Sequence, residues 1–153
     1  MIFTLRSEQQ RPIFSLTNYF SLDALIDTGA EFPVWQGDEH TFKLIFKPKL
    51  KKENVTFTGF GGTAVGNLYT IPVFMLGSLI YRDLPIVVVQ SYNTGVRMIL
   101  SATMFNNLIY EINDKCKYFK ITVPSGEGTI RHLEVRDSKG ELYIFYNSAK
   151  QET

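Results

Sequence analysis

Asp23-Ala24-Leu25-Ile26-Asp27-Thr28-Gly29-Ala30-Glu31-Phe32-Pro33-Val34-Trp35 is the stretch whose reading decides the fold. Aliphatic residues run straight into an acid, a hydroxyl and a glycine, the pattern of a buried strand that delivers a carboxylate to a sharp turn. An ionised carboxylate beside Ala24, Leu25, Ile26 and Ala30 is costly to desolvate unless it is hydrogen-bonded or shares a proton. Asp27 is therefore either the former of its own turn or an acid held in an unusual protonation state. Asp-Thr-Gly alone decides nothing, because at average residue usage it arises by chance in about three in a hundred chains of this length. The rest of the chain has to be weighed.

The chain has 153 residues, 44% of them hydrophobic and 20% charged, with a formal net charge of +1. That length favours one domain with a workable core. So small a net charge supplies no argument for a nucleic-acid or membrane partner. Twelve Phe and eight Tyr suit strands better than helices. Cys116 is the only cysteine, so an intrachain disulfide is impossible and a reducing, cytoplasmic setting is expected. The N-terminus shows no signal-peptide pattern. The longest apolar run, Leu84 to Val89, is too short to span a bilayer.

Outward from the central stretch, Ile2 to Leu5, Ile13 to Phe20 and Leu22 to Ile26 read as strands. Phe42, Ile45 and Phe46 recur at helical spacing, so a short helix capped by Asp38 is expected up to Phe46. Lys47 to Lys52 reads as a solvated basic loop. Asn54 to Thr58 is strand-like and runs into Gly59-Phe60-Gly61-Gly62. Two long strand-like runs, Leu68 to Leu76 and Leu79 to Gln90, meet at Gly77-Ser78 as a tight hairpin. Val96 to Leu100 is apolar, and Ser101 is a cap candidate for a short helix ending near Asn107. Leu108 to Ile112, Tyr118 to Val123, Ile130 to Val135 and Leu142 to Tyr146 read as strands. The last two flank the hairpin signal Asp137-Ser138-Lys139-Gly140. That final pair is apolar on both faces, so it is expected to be covered by other elements or by another subunit.

Three features in order, Asp27-Thr28-Gly29-Ala30, then Thr58 to Gly62 between strands, then Arg97-Met98-Ile99-Leu100-Ser101 before a short helix, resemble the retropepsin-like (retroviral-type) aspartic peptidases. The resemblance covers roughly residues 2 to 112. It implies an all-β, closed-barrel acid-protease fold of a single lobe with one or two short helices. Within the same single domain, residues 113–153 lie beyond the resemblance as a C-terminal β extension, whose apolar hairpin is expected to aid dimerisation. Aspartic peptidases use two facing carboxylates that share a proton, one acting as base and the other as acid on a bound water. This chain holds one Asp-Thr-Gly and no Asp-Ser-Gly. On the resemblance, an active enzyme is a homodimer in which the Asp27 of each subunit meets at a two-fold axis. Asp27, Thr28 and Gly29 are then the catalytic loop, with Thr28 linking the two loops and Gly29 allowing close backbone approach. Ala30 and Glu31 line the main-chain path of a peptide or protein substrate. Gly59, Phe60, Gly61 and Gly62 form a flap that bends over it. No cofactor or metal is implied.

The sequence departs from the family pattern in three places. Ser101 stands where a glycine is usual, Glu31 replaces a commoner aspartate, and Phe32 to Trp35 is bulkier than usual, so that it narrows or covers the site. Gly59-Phe60-Gly61-Gly62-Thr63-Ala64 also fits the dinucleotide fingerprint, but the following residues read as strand rather than helix. His40 and His132 lack paired ligand spacing, Cys116 has no neighbouring histidine, and Ser125 lacks the hydrolase elbow context. Two functions stay open: a homodimeric aspartic endopeptidase, and a catalytically silent dimeric peptide-binding or scaffold module on the same fold.

Overall fold

The computed structural model describes residues 1–8, 11–59, 62–90 and 95–147. The first half contains β1 (Ile2–Thr4), β2 (Arg6–Glu8), β3 (Arg11–Leu16), β4 (Leu22–Asp27), β5 (Val34–Gln36), helix α1 (Glu39–Phe46) and β6 (Lys49–Gly59). The second contains β7 (Gly62–Leu76), β8 (Leu79–Val89), β9 (Met98–Ser101), β10 (Ile109–Asn113), β11 (Tyr118–Thr122), β12 (Ile130–Arg131), β13 (Leu133–Ser138) and β14 (Glu141–Tyr146). The protein is all-β with one α-helix among the described residues, as the aromatic-rich composition led us to expect.

The main sheet runs β13-β14-β6-β7-β8-β5-β9-β4-β3-β2, with β12 alongside β8, and a second sheet runs β1-β11-β10. The two long hairpins set this order. Gly77 takes φ 59° and closes β7 onto β8 with Leu76 opposite Leu79. Gly59 stands opposite Gly62 where β6 and β7 meet. β5 slots between β8, to which it is parallel, and β9, to which it is antiparallel. All three of its residues are buried.

Aromatic rings fill the interior. Trp35 is fully buried, its ring packs on Phe42 and Phe46 of α1, and its indole N–H donates to the Asp38 carbonyl at 3.1 Å. Phe14, Phe119 and Phe105 link the second sheet to the same core. Asp38 caps α1 as expected, its carboxylate accepting from the Thr41 amide at 2.9 Å and the Thr41 hydroxyl at 2.6 Å. The hydroxyl and then the amide hold the Asp38 carboxyl below the usual aspartate range.

Several local expectations need correction. Lys49 to Lys52 are not loop but the start of β6, where exposed lysines project from a strand whose backbone is paired to β7. The Ile13 to Phe20 run stops pairing at Leu16, because Phe20 and Ser21 turn at φ 54° and 58°. Ile130 to Val135 is broken at His132: Ile130 and Arg131 pair with β8 while Leu133 onward pairs with β14. Ser101 opens a four-residue 3₁₀ turn, Ala102–Phe105, and makes no side-chain cap. The terminal hairpin forms at its expected turn, where Gly140 N donates to Asp137 Oδ1 at 3.0 Å. Its inner residues Leu142 and Ile144 are buried by the chain's own elements, while Tyr143 stays 41% exposed.

Candidate active-site loop

β4 buries Ala24, Leu25 and Ile26 and then brings a half-buried Asp27 to its carboxyl end. There it pairs in parallel with β9, Asp27 in register with Ser101. The strand stops because the carboxylate captures the next turn: Gly29 N donates to Asp27 Oδ1 at 3.0 Å and Ala30 N to the Asp27 carbonyl at 3.1 Å. An aspartate that hydrogen-bonds the amide two residues on is a standard way to tighten a turn. Thr28 and Gly29 are left exposed at its apex, while Ala30 is buried. A Cβ placed on Gly29 would lie 3.4 Å from Asp27 Oδ1, so the glycine keeps the space beside the carboxylate open.

The loop is tied down beyond the turn. The Ala30 carbonyl accepts from Ala102 N at 3.2 Å, and the Thr103 hydroxyl donates to the Glu31 carbonyl at 2.5 Å. The 3₁₀ turn that supplies both is itself anchored by Tyr81 of β8, whose hydroxyl donates to the Met104 carbonyl at 2.6 Å. Complete burial pushes the Tyr81 hydroxyl well above its ordinary range, so it stays a neutral donor. The Ser101 hydroxyl is buried without a hydrogen-bond partner among the described residues. Glycine at that position would leave no such orphan.

Of the other expected site residues, Glu31 is half-buried and its Oε1 accepts from Ile144 N of β14 at 3.2 Å. Gly59 and Gly62 face each other at the end of the β6–β7 hairpin. Phe60 and Gly61 lie outside the described residues. The Phe32–Trp35 segment does not cover an open site: Phe32 packs edge-on against Phe57 at 6.0 Å, and Trp35 belongs to the core. The dinucleotide fingerprint is excluded, since Gly62 to Ala64 lie in β7 rather than at a helix start. Sequence reading missed Thr103, Ile144 and the pair Thr58–Glu141, whose side chains bond at 2.8 Å. These are long-range contacts with no local signature.

A cavity of about 390 Å³ lies elsewhere, between α1 and the β7–β8 pair, and includes none of residues 27–31. Glu39 accepts there from Asn67 Nδ2, the Tyr69 hydroxyl and Gln90 Nε2 at 2.9, 2.6 and 3.0 Å. Desolvation first, then the bond to Glu39, raises the Tyr69 hydroxyl's pKa.

No protein-family model matches the sequence, and no characterised protein matches it at the sequence level. The fold does have a counterpart. The crystal structure of a retropepsin-like aspartic protease from Rickettsia conorii superposes with a TM-score of 0.53 and 13% identity, covering 96% of this chain and 92% of that one. At that identity the likeness is one of fold. It extends into the segment after Asn113. The chain thus has a retropepsin-like β fold with its single Asp-Thr-Gly at the turn that ends β4.

Proposed function

We propose that the protein is an aspartic endopeptidase that works as a homodimer. The observation that supports this reading best is the place of Asp27. In a retropepsin-like fold, the chain's one Asp-Thr-Gly forms a carboxylate-centred turn at the exposed end of a buried strand, clamped from behind by Ala102 and Thr103. One carboxylate cannot serve as both base and acid, so a second Asp27 is required, and a two-fold axis supplies it. With the two acids sharing one proton, the ionised one takes a proton from a bound water as that water attacks the peptide carbonyl. The protonated one hydrogen-bonds the carbonyl oxygen, and a proton then passes to the leaving nitrogen.

Thr28 and Gly29, exposed at the apex, face the partner loop and the substrate main chain in this reading. Ala30 and Glu31 lie along the substrate path, and the Gly59–Gly62 hairpin end serves as the lid. No helix among the described residues is long and apolar enough to cross a membrane. The exposed lone thiol of Cys116 fits a reducing, cytoplasmic setting. The test is hydrolysis of a mixed peptide library from acid to neutral pH by wild type and by Asp27→Asn. Cleavage by the first alone supports the reading. Two equally inert folded dimers that still bind peptide would favour the silent binding module.

A further inference from the structure

Arg131 is fully buried, and it is the only charged side chain buried among the described residues. Taking a guanidinium out of water is costly unless its donors find acceptors and its charge finds a partner. Here the partners are few. No ion pair among the described residues includes Arg131, and its Nε and Nη1 meet no acceptor there. Its charge lies instead over two rings, 4.5 Å from the centre of Tyr146 and 5.9 Å from that of Tyr81. The hydrogen bond it does make runs from Nη2 to the Asn106 carbonyl.

That carbonyl lies just past the 3₁₀ turn Ala102–Phe105, where a helical turn runs out of its own donors. Two donors arrive from outside: the Tyr81 hydroxyl on the Met104 carbonyl, and Arg131 on that of Asn106. They come from one place, because Arg131 of β12 stands opposite Tyr81 of β8. The near end of the same turn holds the loop, through Ala102 N on the Ala30 carbonyl and the Thr103 hydroxyl on the Glu31 carbonyl. Asn106 N closes back on the Thr103 carbonyl at 3.3 Å, so the two ends are joined within one turn.

We infer that Arg131 is a positioning residue of the proposed active site. Paired with Tyr81, it fixes the far end of the 3₁₀ turn so that the near end holds the Asp27 loop in one place. Its catalytic consequence rests on the peptidase reading above. Two carboxylates share a proton only at close range, so a loop free to shift leaves fewer dimers in the working geometry. The loss then falls on kcat rather than on KM. A residue kept for stability alone behaves otherwise, since replacing a buried charge by an apolar side chain of similar size is often neutral or stabilising.

The test compares full-length wild type, Arg131→Met and Tyr81→Phe by thermal denaturation, peptide hydrolysis and amide exchange. Methionine fills much of the same space without donors, so Arg131→Met should melt within about 2 °C of wild type or above it. Its kcat should nonetheless fall at least about fivefold, with KM within about twofold. The Ala102 amide should exchange about tenfold faster, while the Val87 amide, which donates to the Pro33 carbonyl, keeps its wild-type rate. Tyr81→Phe keeps the ring and removes the companion donor. It should speed Ala102 in the same selective way, and it carries the test should Arg131→Met not fold. An Ala102 rate within about twofold of wild type in Arg131→Met, or in Tyr81→Phe where only that variant folds, overturns the inference. So does equal acceleration at Ala102 and Val87, the mark of a residue that steadies the whole fold. If wild type cleaves no peptide, the peptidase reading falls, and the Ala102 and Val87 rates alone decide whether Arg131 steadies the loop.

Discussion

A Gly66→Ala substitution adds one carbon to β7 where Val87, Val88 and Val89 of β8 lie against it. The new Cβ would lie 2.5 Å from the Val88 carbonyl oxygen, 2.7 Å from Val87 Cγ1 and 3.0 Å from Val89 Cγ1. The valine methyls can shift by rotating. The carbonyl cannot, because it belongs to a backbone paired on both sides, to β7 through Asn67–Val88 and to β5 through Trp35–Val88. Relief therefore requires the two strands to move apart. Overpacking a well-filled interior typically costs about 1–3 kcal/mol. With a backbone atom as the main obstacle we place this substitution at about 3 kcal/mol. For a chain of this size each kcal/mol lowers Tm by about 2–4 °C, so thermal denaturation should show a drop of about 6–12 °C. Urea titration should show a lower midpoint with an unchanged slope. A Tm within about 2 °C of wild type would refute the reasoning, since the β7–β8 approach would then have to be looser than the geometry shows.

Four further outcomes follow from the same geometry. Gly29→Ala should fold normally, within about 2 °C in Tm, because its Cβ meets only an ordinary 3.4 Å contact with Asp27 Oδ1; peptide hydrolysis should nonetheless fall at least tenfold, because the methyl takes the space beside the carboxylate that the proposed substrate main chain needs. Trp35→Ala should cost about 3–5 kcal/mol in urea denaturation, because the ring is core; unchanged stability with stronger peptide binding would show instead that Trp35 covers the site. Glu31→Ala leaves the Ile144 amide without its acceptor and should cost about 1–3 kcal/mol, whereas Glu31→Gln, which keeps an acceptor oxygen, should lose less by the same assay. The Asp38 carboxyl is held low by Thr41 in the folded state, so its contribution is complete above the unfolded pKa of about 4. It is lost as pH falls through the lower folded value, and Asp38→Ala should flatten that part of the stability–pH curve.

The elements that carry their own local physics were legible in the sequence. The β4 strand with its Asp27 turn, the Asp38-capped helix, the Gly77 hairpin and the Asp137–Gly140 hairpin each combine a periodic apolar run with a turn or cap residue. Errors arose where tertiary pairing overrides local composition. Lys49 to Lys52 look like loop because their side chains are charged, yet a strand asks only that its backbone be paired, and β7 pairs it. Ser101 looks like a helix cap, but its hydroxyl is buried rather than turned to the backbone amides of the following turn. The turn at Asp27, Thr28 and Gly29 was legible because its hydrogen bonds join residues adjacent in sequence. Thr103 and Ile144, 72 and 113 residues from Glu31, were not. No sequence spacing announces a contact of that range.

The central claim is that two copies of Asp27 form one reaction centre, and mixing wild type with Asp27→Asn tests it most directly. After subunit exchange at equal concentrations and fixed total protein, peptidase activity should fall to about a quarter of the unmixed wild-type value, because only dimers with both carboxylates work. Activity that falls only to about a half, in proportion to the wild-type fraction, would show that each chain acts alone and would contradict the shared centre.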